Sequence, residues 1–514
     1  MSPLCLDREA ALISGSVDLV DDHDEAYEQW KARSVQNQIL LHLDAHIDFE
    51  WIAEKNLHSL LNAHSFRDVE EFLRNPHGWA AGNPANNRTH LGNYLYRALE
   101  EGMIREWYWV VPDSIWNIRA GRESIWKDLL DFYKFRTGPM EFPKREKNCF
   151  KTSFLGVPTV VTSLEFLPFF EEPVLLNIDV DFLTTRYFKK IPKAETLRKS
   201  LPWIWPEELV RALRKKNVTA SLSAIAHSVT GGFTPIQFKF FGEVLRALLS
   251  GDEPPVFYEQ LKEAMILRSQ GDLKLALEIL LLFEAEGAIE VARSYQAAQI
   301  FYEQGYADSA RLQFQKCVDL DAQFTSNYNN SAKFFEFLAK FEEAIKEHQM
   351  MQTLLPDSLE PQLGQARFFA AQRMIEPAIK CYHKVLEKNP DCAEAYRELG
   401  ILHLQRKQIT EAFKFFLYAL ELNAGDLLSR IRLGYCLFYQ KRFDEAKNHL
   451  REALGRGAHF SSTYQLLARV YWRLNYRRKA LEFFWESWRI QFRIYQARWA
   501  HRLRKIFLPL GSHS

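Results

Sequence analysis

Two short acidic clusters are the residues of this sequence best suited to chemistry: Asp44, His46 and Asp48 in LLHLDAHID, and Asp179 and Asp181 in LLNIDVDF. Each follows an apolar run, ILLHL or VLLNI, of the kind that forms a buried strand. In extended chain, residues two apart point the same way, so each cluster can converge on one point. Carboxylates gathered at strand ends repel one another unless a positive charge sits between them. Oxygen and imidazole donors suit a hard or borderline divalent ion, so the chemistry on offer is metal-assisted hydrolysis.

The elements that position these clusters read as an α/β domain. Strands are predicted at 17–20, 39–43, 107–111, 159–162, 174–178 and 218–226, with helical stretches such as LGNYLYRALEEG and PEELVRALRKK between them. Apolar strands alternating with helices imply a mostly parallel sheet covered on both faces. Its carboxyl end is where such proteins place their chemistry. The domain spans residues 1–250, and SGDEPP at 250–255 marks its end.

The second half is periodic. Small residues recur every 34 positions at Ala264, Ala298, Ala332, Ala366, Gly400, Gly434 and Ala468, and an alanine stands twelve further on in every unit, from Ala276 to Ala480. This pattern resembles the tetratricopeptide repeat, whose antiparallel helix pairs cross closely at those positions. Phe314, Tyr382, Phe416 and Phe484 occupy the large apolar slot, and Pro356 and Pro390 end their units. Seven units over 257–494 predict an all-α superhelix whose concave face binds a peptide or protein partner. Residues 495–514, with Trp499, Leu503 and Ile506 at helical spacing, predict a capping helix and tail.

Composition narrows the class. The 514 residues carry 66 Lys and Arg against 65 Asp and Glu, a net charge of +1, so nucleic acid and anionic membranes are not expected partners. Six scattered cysteines without a CxxC pair predict reduced thiols. MSPLCLDREAALISG lacks the pattern of a secretory leader, and no apolar run is long enough to span a bilayer, so a cytoplasmic location is expected.

The order DDHDE, LHLDAHID, GNYLY, WVVPD, LLNIDVDF, AHSVTGGFTP along the first 250 residues resembles the ureohydrolase superfamily of arginases, agmatinases and deacetylase-like amidohydrolases. Within it the chain is most similar to a branch that includes the peptide arginases, which convert arginine side chains of peptides to ornithine. The resemblance implies an arginase-like fold and two divalent ions, manganese first. One ion would be held by His23, Asp44, Asp48 and Asp179, the other by Asp44, His46, Asp179 and Asp181, with Asp44 and Asp179 bridging. It also implies that Asp48 accepts a hydrogen bond from a metal-held hydroxide. A histidine would protonate the leaving amine, with His227 and His90 as candidates beside His58 and His64.

The substrate side departs from that family. Arginases bind guanidinium with a glutamate after the last core strand, yet residues 220–242 contain no acid. Glu25 and then Glu165 are the expected substitutes, with Asn93 and Ser228 as further substrate contacts. The expectation is a metal-dependent C–N hydrolase acting on an arginine side chain of a peptide or protein recruited by the repeats, giving ornithine and urea. The alternatives are a deacetylase-like amidohydrolase, or an interaction scaffold whose ureohydrolase-like domain is weak or inactive.

Overall fold

The computed structural model describes residues 11–21, 24–45, 94–135, 140–185, 193–229, 234–325, 328, 341–456 and 461–489. The chain forms two compact units, of which the first reaches Asp357 and the second continues from Ser358. No helix among the described residues is long and apolar enough to cross a membrane. Cys149, Cys317, Cys381, Cys392 and Cys436 are free thiols, as the sequence predicts.

The first unit is built on eight strands: β1 (Ile13–Val20), β2 (Gln38–Leu43), β3 (Ile104–Val111), β4 (Lys144–Arg145), β5 (Phe150–Phe154), β6 (Val157–Ser163), β7 (Val174–Asp179) and β8 (Ala220–Ala226). Their order is β1-β8-β7-β2-β3-β6-β5-β4. All pairings from β1 to β6 are parallel, and β5 and β4 add antiparallel edges. The six strands read from the sequence are all present. The antiparallel pair escaped that reading because KR and FKTSF lack the apolar runs that mark a strand buried on both faces.

Helices cover both faces. Here α1 is Asp24–Ala32, α2 Tyr94–Glu100, α3 Asp113–Trp116, α4 Arg119–Phe135, α5 Asp181–Thr184, α6 Ala194–Arg198, α7 Pro206–Lys215 and α8 Phe241–Ser250. Strand alternation divides the core: Leu40, Trp107, Leu175 and Leu222 pack with Trp30 of α1 and Leu95 of α2. Leu41, Leu43, Leu176 and Ile225 pack with Leu209 of α7 and Leu245 of α8. The second cluster continues into the first repeat helices through Tyr258, Leu261 and Ala264, so residues 250–255 join parts of one core.

In the first unit the repeat helices are α9 (Tyr258–Gln270), α10 (Leu273–Leu281), α11 (Gly287–Glu303), α12 (Ala307–Leu320) and α13 (Phe341–Leu354). The second unit contains α14 (Glu360–Ala371), α15 (Ile375–Lys388), α16 (Ala393–Gln405), α17 (Ile409–Leu422), α18 (Leu427–Tyr439), α19 (Phe443–Gly455) and α20 (Ser461–Arg473), followed by a helical stretch at 477–489. The 34-residue register has a direct steric cause. A Cβ on Gly400 would lie 2.7 Å from the Phe416 ring, and one on Gly434 would lie 2.8 Å from Leu450. The alanines of the second register, from Ala276 to Ala480, are all buried. Phe314, Tyr382 and Phe416 fill their slots, but Phe484 is 55% exposed. In earlier units the following helix closes the slot, and no described residue follows 489 to do so; Phe483 stacks on Tyr471 instead, at 5.3 Å. The predicted capping segment lies outside the described residues, as does Ala332.

Candidate metal centre

Strand order creates the site. From β2 the chain proceeds outward to β3, and from β7 it proceeds the other way to β8, so the adjacent ends of β2 and β7 flank the crevice where such sheets bind ligands. Leu43 is in register with Ile178, which sets Asp44 and Asp179 side by side just beyond. Asp44, Asp179 and Asp181 bring carboxylate oxygens within 4.8 Å of one another, and all three residues are buried.

Asp181 arrives differently from the sequence expectation. The strand stops at Asp179, Val180 turns into helical backbone, and Asp181 opens α5. The turn rather than strand alternation brings the two carboxylates together, and the Asp181 amide donates to Asp179 Oδ1 at 2.8 Å. The Ala45 amide donates to Asp181 Oδ1 at 3.3 Å, linking the β2 end to the β7 end.

Two further contacts hold the cluster. Ser228, just past β8, donates its hydroxyl to Asp179 Oδ2 at 2.7 Å and is itself buried. Its φ of 50° is the left-handed backbone that a serine adopts at some expense. Hydrogen bonds from the Ser228 amide to the Asp21 carbonyl and from the Thr234 amide to the Ser228 carbonyl hold that conformation. His42 Nε2 lies 3.2 Å from Asp44 Oδ2 and 3.4 Å from the Tyr94 hydroxyl, which accepts from Asn177 Nδ2 at 2.7 Å. His42 and Asn177 are cross-strand register partners, two residues before Asp44 and Asp179, so the pleat places both on the carboxylate side. Trp109 Nε1 donates to the Asp44 carbonyl at 3.1 Å.

The electrostatics favour a cation. At 4.8 Å and an effective dielectric near 20, each carboxylate pair repels by about 3 kcal/mol. Amides and a hydroxyl soften that repulsion without supplying a full positive charge. An all-oxygen cluster of this kind fits a hard divalent ion, with Ser228 and His42 orienting two of its ligands. Ser228→Ala is expected to weaken divalent-metal affinity roughly tenfold, as loss of an outer hydrogen bond to a ligand does, while leaving the fold intact. Metal titration read by calorimetry checks this, and unchanged affinity would remove Ser228 from the site.

The remaining candidates are scattered. Ser228 meets Asp179 rather than presenting itself to a substrate. His227 sets its ring against α8, where a Cβ on Gly242 would fall 2.3 Å from Nε2, and its Nδ1 stands 3.9 Å from Asp21 Oδ1. Among the described contacts none joins it to the three carboxylates. Glu25 stands in the first turn of α1 rather than at a strand end. Glu165 is exposed in a 3-10 turn after β6, and its carbonyl accepts from Lys216 Nζ at 2.7 Å. His23, His46, Asp48, His90 and Asn93 lie outside the described residues, as do His58 and His64. His42, Tyr94 and Asn177 were missed as site residues; for His42 and Asn177 the two-residue spacing from Asp44 and Asp179 was a usable signal, whereas Tyr94 reaches the site only through the fold.

The loops beyond the site reach the repeats. Arg198 of α6 pairs with Glu347 of α13, Lys199 Nζ lies 2.9 Å from Glu303 of α11, and Lys239 Nζ lies 2.8 Å from Asp321. Arg268 of α9 is 1% exposed and ties Arg198 into this network, donating to its carbonyl at 3.3 Å, to Gln296 Oε1 at 2.6 Å and to Glu303 Oε1 at 2.8 Å. The α6 segment is thus seated on the first helices of the first two repeats and on α13, the second helix of the third.

Residues 363–426 match the family model of the tetratricopeptide repeat, a module of protein interaction. Solved structures similar to part of the chain include MamA, at 18% identity over 32% of this chain and 96% of that one with a TM-score of 0.29. YrrB, described as a TPR protein with an unusual peptide-binding site, is 20% identical over 36% of this chain and 97% of that one, with a TM-score of 0.28. MamA from Desulfovibrio magneticus RS-1 is 17% identical over 32% and 94%, with a TM-score of 0.29. No curated protein matches the chain.

Proposed function

We propose that the sheet domain is an arginase-like, divalent-metal-dependent hydrolase of C–N bonds whose substrate is the guanidino group of an arginine side chain in a peptide or protein recruited by the repeats. The observation that carries this reading is the convergence of Asp44, Asp179 and Asp181 at the ends of adjacent parallel strands. Asp44 and Asp179 would hold both ions and Asp181 one of them, with His23, His46 and Asp48 completing the set by resemblance. When bound, two such ions, manganese first, supply a hydroxide near neutral pH to attack the guanidinium carbon, giving ornithine and urea. Ser228 and the Asp181 amide hold the Asp179 carboxylate in place, and His42 does the same for Asp44. The burial of all three carboxylates excludes bulk water from the ligands.

The test begins with metal analysis of the purified protein, followed by incubation with arginine-containing peptides and mass spectrometry. Conversion of arginine to ornithine with release of urea is expected. Loss of an acyl group instead would favour a deacetylase-like amidohydrolase. Protein that neither holds nor is stabilised by manganese, iron or zinc would leave the interaction-scaffold reading.

A further inference from the structure

The first helices of successive repeat units form the face on which such arrays receive ligands. In the first unit part of this face is filled by the chain itself, because Lys199, just past α6, pairs with Glu303 of α11 and the Arg198 carbonyl accepts from Arg268 of α9. In the second unit the row of first helices changes character along its own length. The first helices α14 and α16 balance their own charge: Arg367 Nη1 lies 3.1 Å from Glu394, and Arg397 lies 3.1 Å from Glu398 and 3.4 Å from Asp426.

The next two helices of the row do not. The sequences of α18, LLSRIRLGYCLFY, and α20, SSTYQLLARVYWR, contain four arginines and no acidic residue. Arg430 is buried and paired with Glu452 at 2.6 Å. Arg432, Arg469 and Arg473 are exposed, and none has a carboxylate partner among the described residues. The two helices pack together. Across their junction the Arg469 guanidinium lies 4.5 Å from the Phe438 ring centre and 5.8 Å from that of Tyr439, while Tyr435 and Tyr439 pack at 4.6 Å. Tyr439 and Trp472 remain about half exposed, at 47% and 52%. Arginines held over aromatic rings, with no internal acid to satisfy them, form a surface ready for carboxylates and apolar side chains together.

We propose that this face of α18 and α20 binds an acidic, aromatic- or aliphatic-containing peptide segment, with Arg432 and Arg469 as its anion contacts and Tyr435, Tyr439 and Trp472 as its apolar floor. The occupant is a peptide rather than a nucleic acid because the repeat is a module of protein interaction and the arginines stand over apolar rings, Arg469 over Phe438 and Arg477, just past α20, over Trp472 at 4.8 Å, so the ligand must bring apolar side chains beside its carboxylates, and the chain as a whole has a net charge of only +1. The inference rests on the repeats recruiting a peptide and is independent of the metal chemistry.

The experiment uses the full chain and a fluorescein-labelled peptide of about a dozen residues alternating Asp or Glu with Leu and Tyr, read by fluorescence anisotropy. Binding is expected to weaken at least about tenfold in Arg432→Glu/Arg469→Glu protein, and similarly on raising salt from about 50 to about 500 mM. Arg432→Gln/Arg469→Gln is the milder second variant, expected to weaken binding severalfold while its melting temperature stays that of the parent. Equal binding of the peptide's Asn/Gln counterpart, unchanged affinity in both variants, or preference for a single-stranded oligonucleotide would overturn the proposal. Metal content measured on the same samples separates the two readings. Peptide binding without metal defeats only the hydrolase, and metal without peptide binding defeats only this surface.

Discussion

Replacing Asp179 with asparagine is expected to invert the protein's response to metal. In chelator, the variant should be more stable than the parent by about 2 kcal/mol, because one charge is removed from three buried carboxylates that repel in pairs. The amide retains the shape of the side chain, and its oxygen can still accept from the Asp181 amide. With manganese in hundredfold excess over its dissociation constant, the parent gains about 2.7 kcal/mol from ligand linkage, whereas the variant, lacking the proposed bridging ligand, gains almost nothing. Thermal melts of both proteins with and without metal should therefore cross. Metal affinity of the variant should fall by more than about a hundredfold, beyond the loss caused by an outer-contact change such as Ser228→Ala. Parallel melts, with the parent ahead in chelator as well, would mean that the carboxylates serve the fold and not an ion.

The second large effect concerns Arg268. Its guanidinium is buried and joins three elements: α9 itself, Gln296 and Glu303 of α11, and the Arg198 carbonyl of α6. Arg268→Met keeps the apolar stem and removes the charge, leaving acceptors in a dry site, and is expected to destabilise the first unit by about 3 kcal/mol. A double-mutant cycle with Glu303→Gln should recover part of that loss, since the carboxylate no longer needs its partner. Hydrogen exchange is the suitable measurement, because a chain of two compact units need not unfold in one step. Protection should fall first at 194–198 and 287–303. A variant within about 0.5 kcal/mol of the parent, with unchanged exchange there, would show that α6 is held by the apolar core alone.

Together these expectations separate the roles of the two halves of the first unit. The carboxylates are set by the strand ladder, so Arg268→Met should retain metal while loosening the repeats. Asp179→Asn should do the reverse. The seating of α6 on the repeat helices gives the early repeats a structural task within this unit.

Much of this was legible in the chain itself because its signals are local and periodic. Apolar runs ending in Asp44 and Asp179 marked two strand ends, and the 34-residue spacing marked helix pairs whose crossings leave no free room for a Cβ beside Phe416 or Leu450. Even His42 and Asn177 could have been found by counting back two residues along each strand. What no local pattern carried was pairing over long sequence distance. That Ser228 would turn its hydroxyl onto Asp179 depends on a left-handed backbone held by Asp21 and Thr234. The neighbouring His227 instead faces α8, on the side of the sheet where Ile225, two residues before it, packs with Leu245. That α6 would occupy the first repeat helices depends on Arg268, Glu303 and Glu347 meeting it from well over fifty residues away. By itself the sequence determined the six parallel strands, the repeat register and the acidic strand ends, since periodicity is a property of neighbouring residues. Only the tertiary structure decided which carboxylates meet, which side chains hold them and which repeat faces remain open, since those follow from strand order and packing.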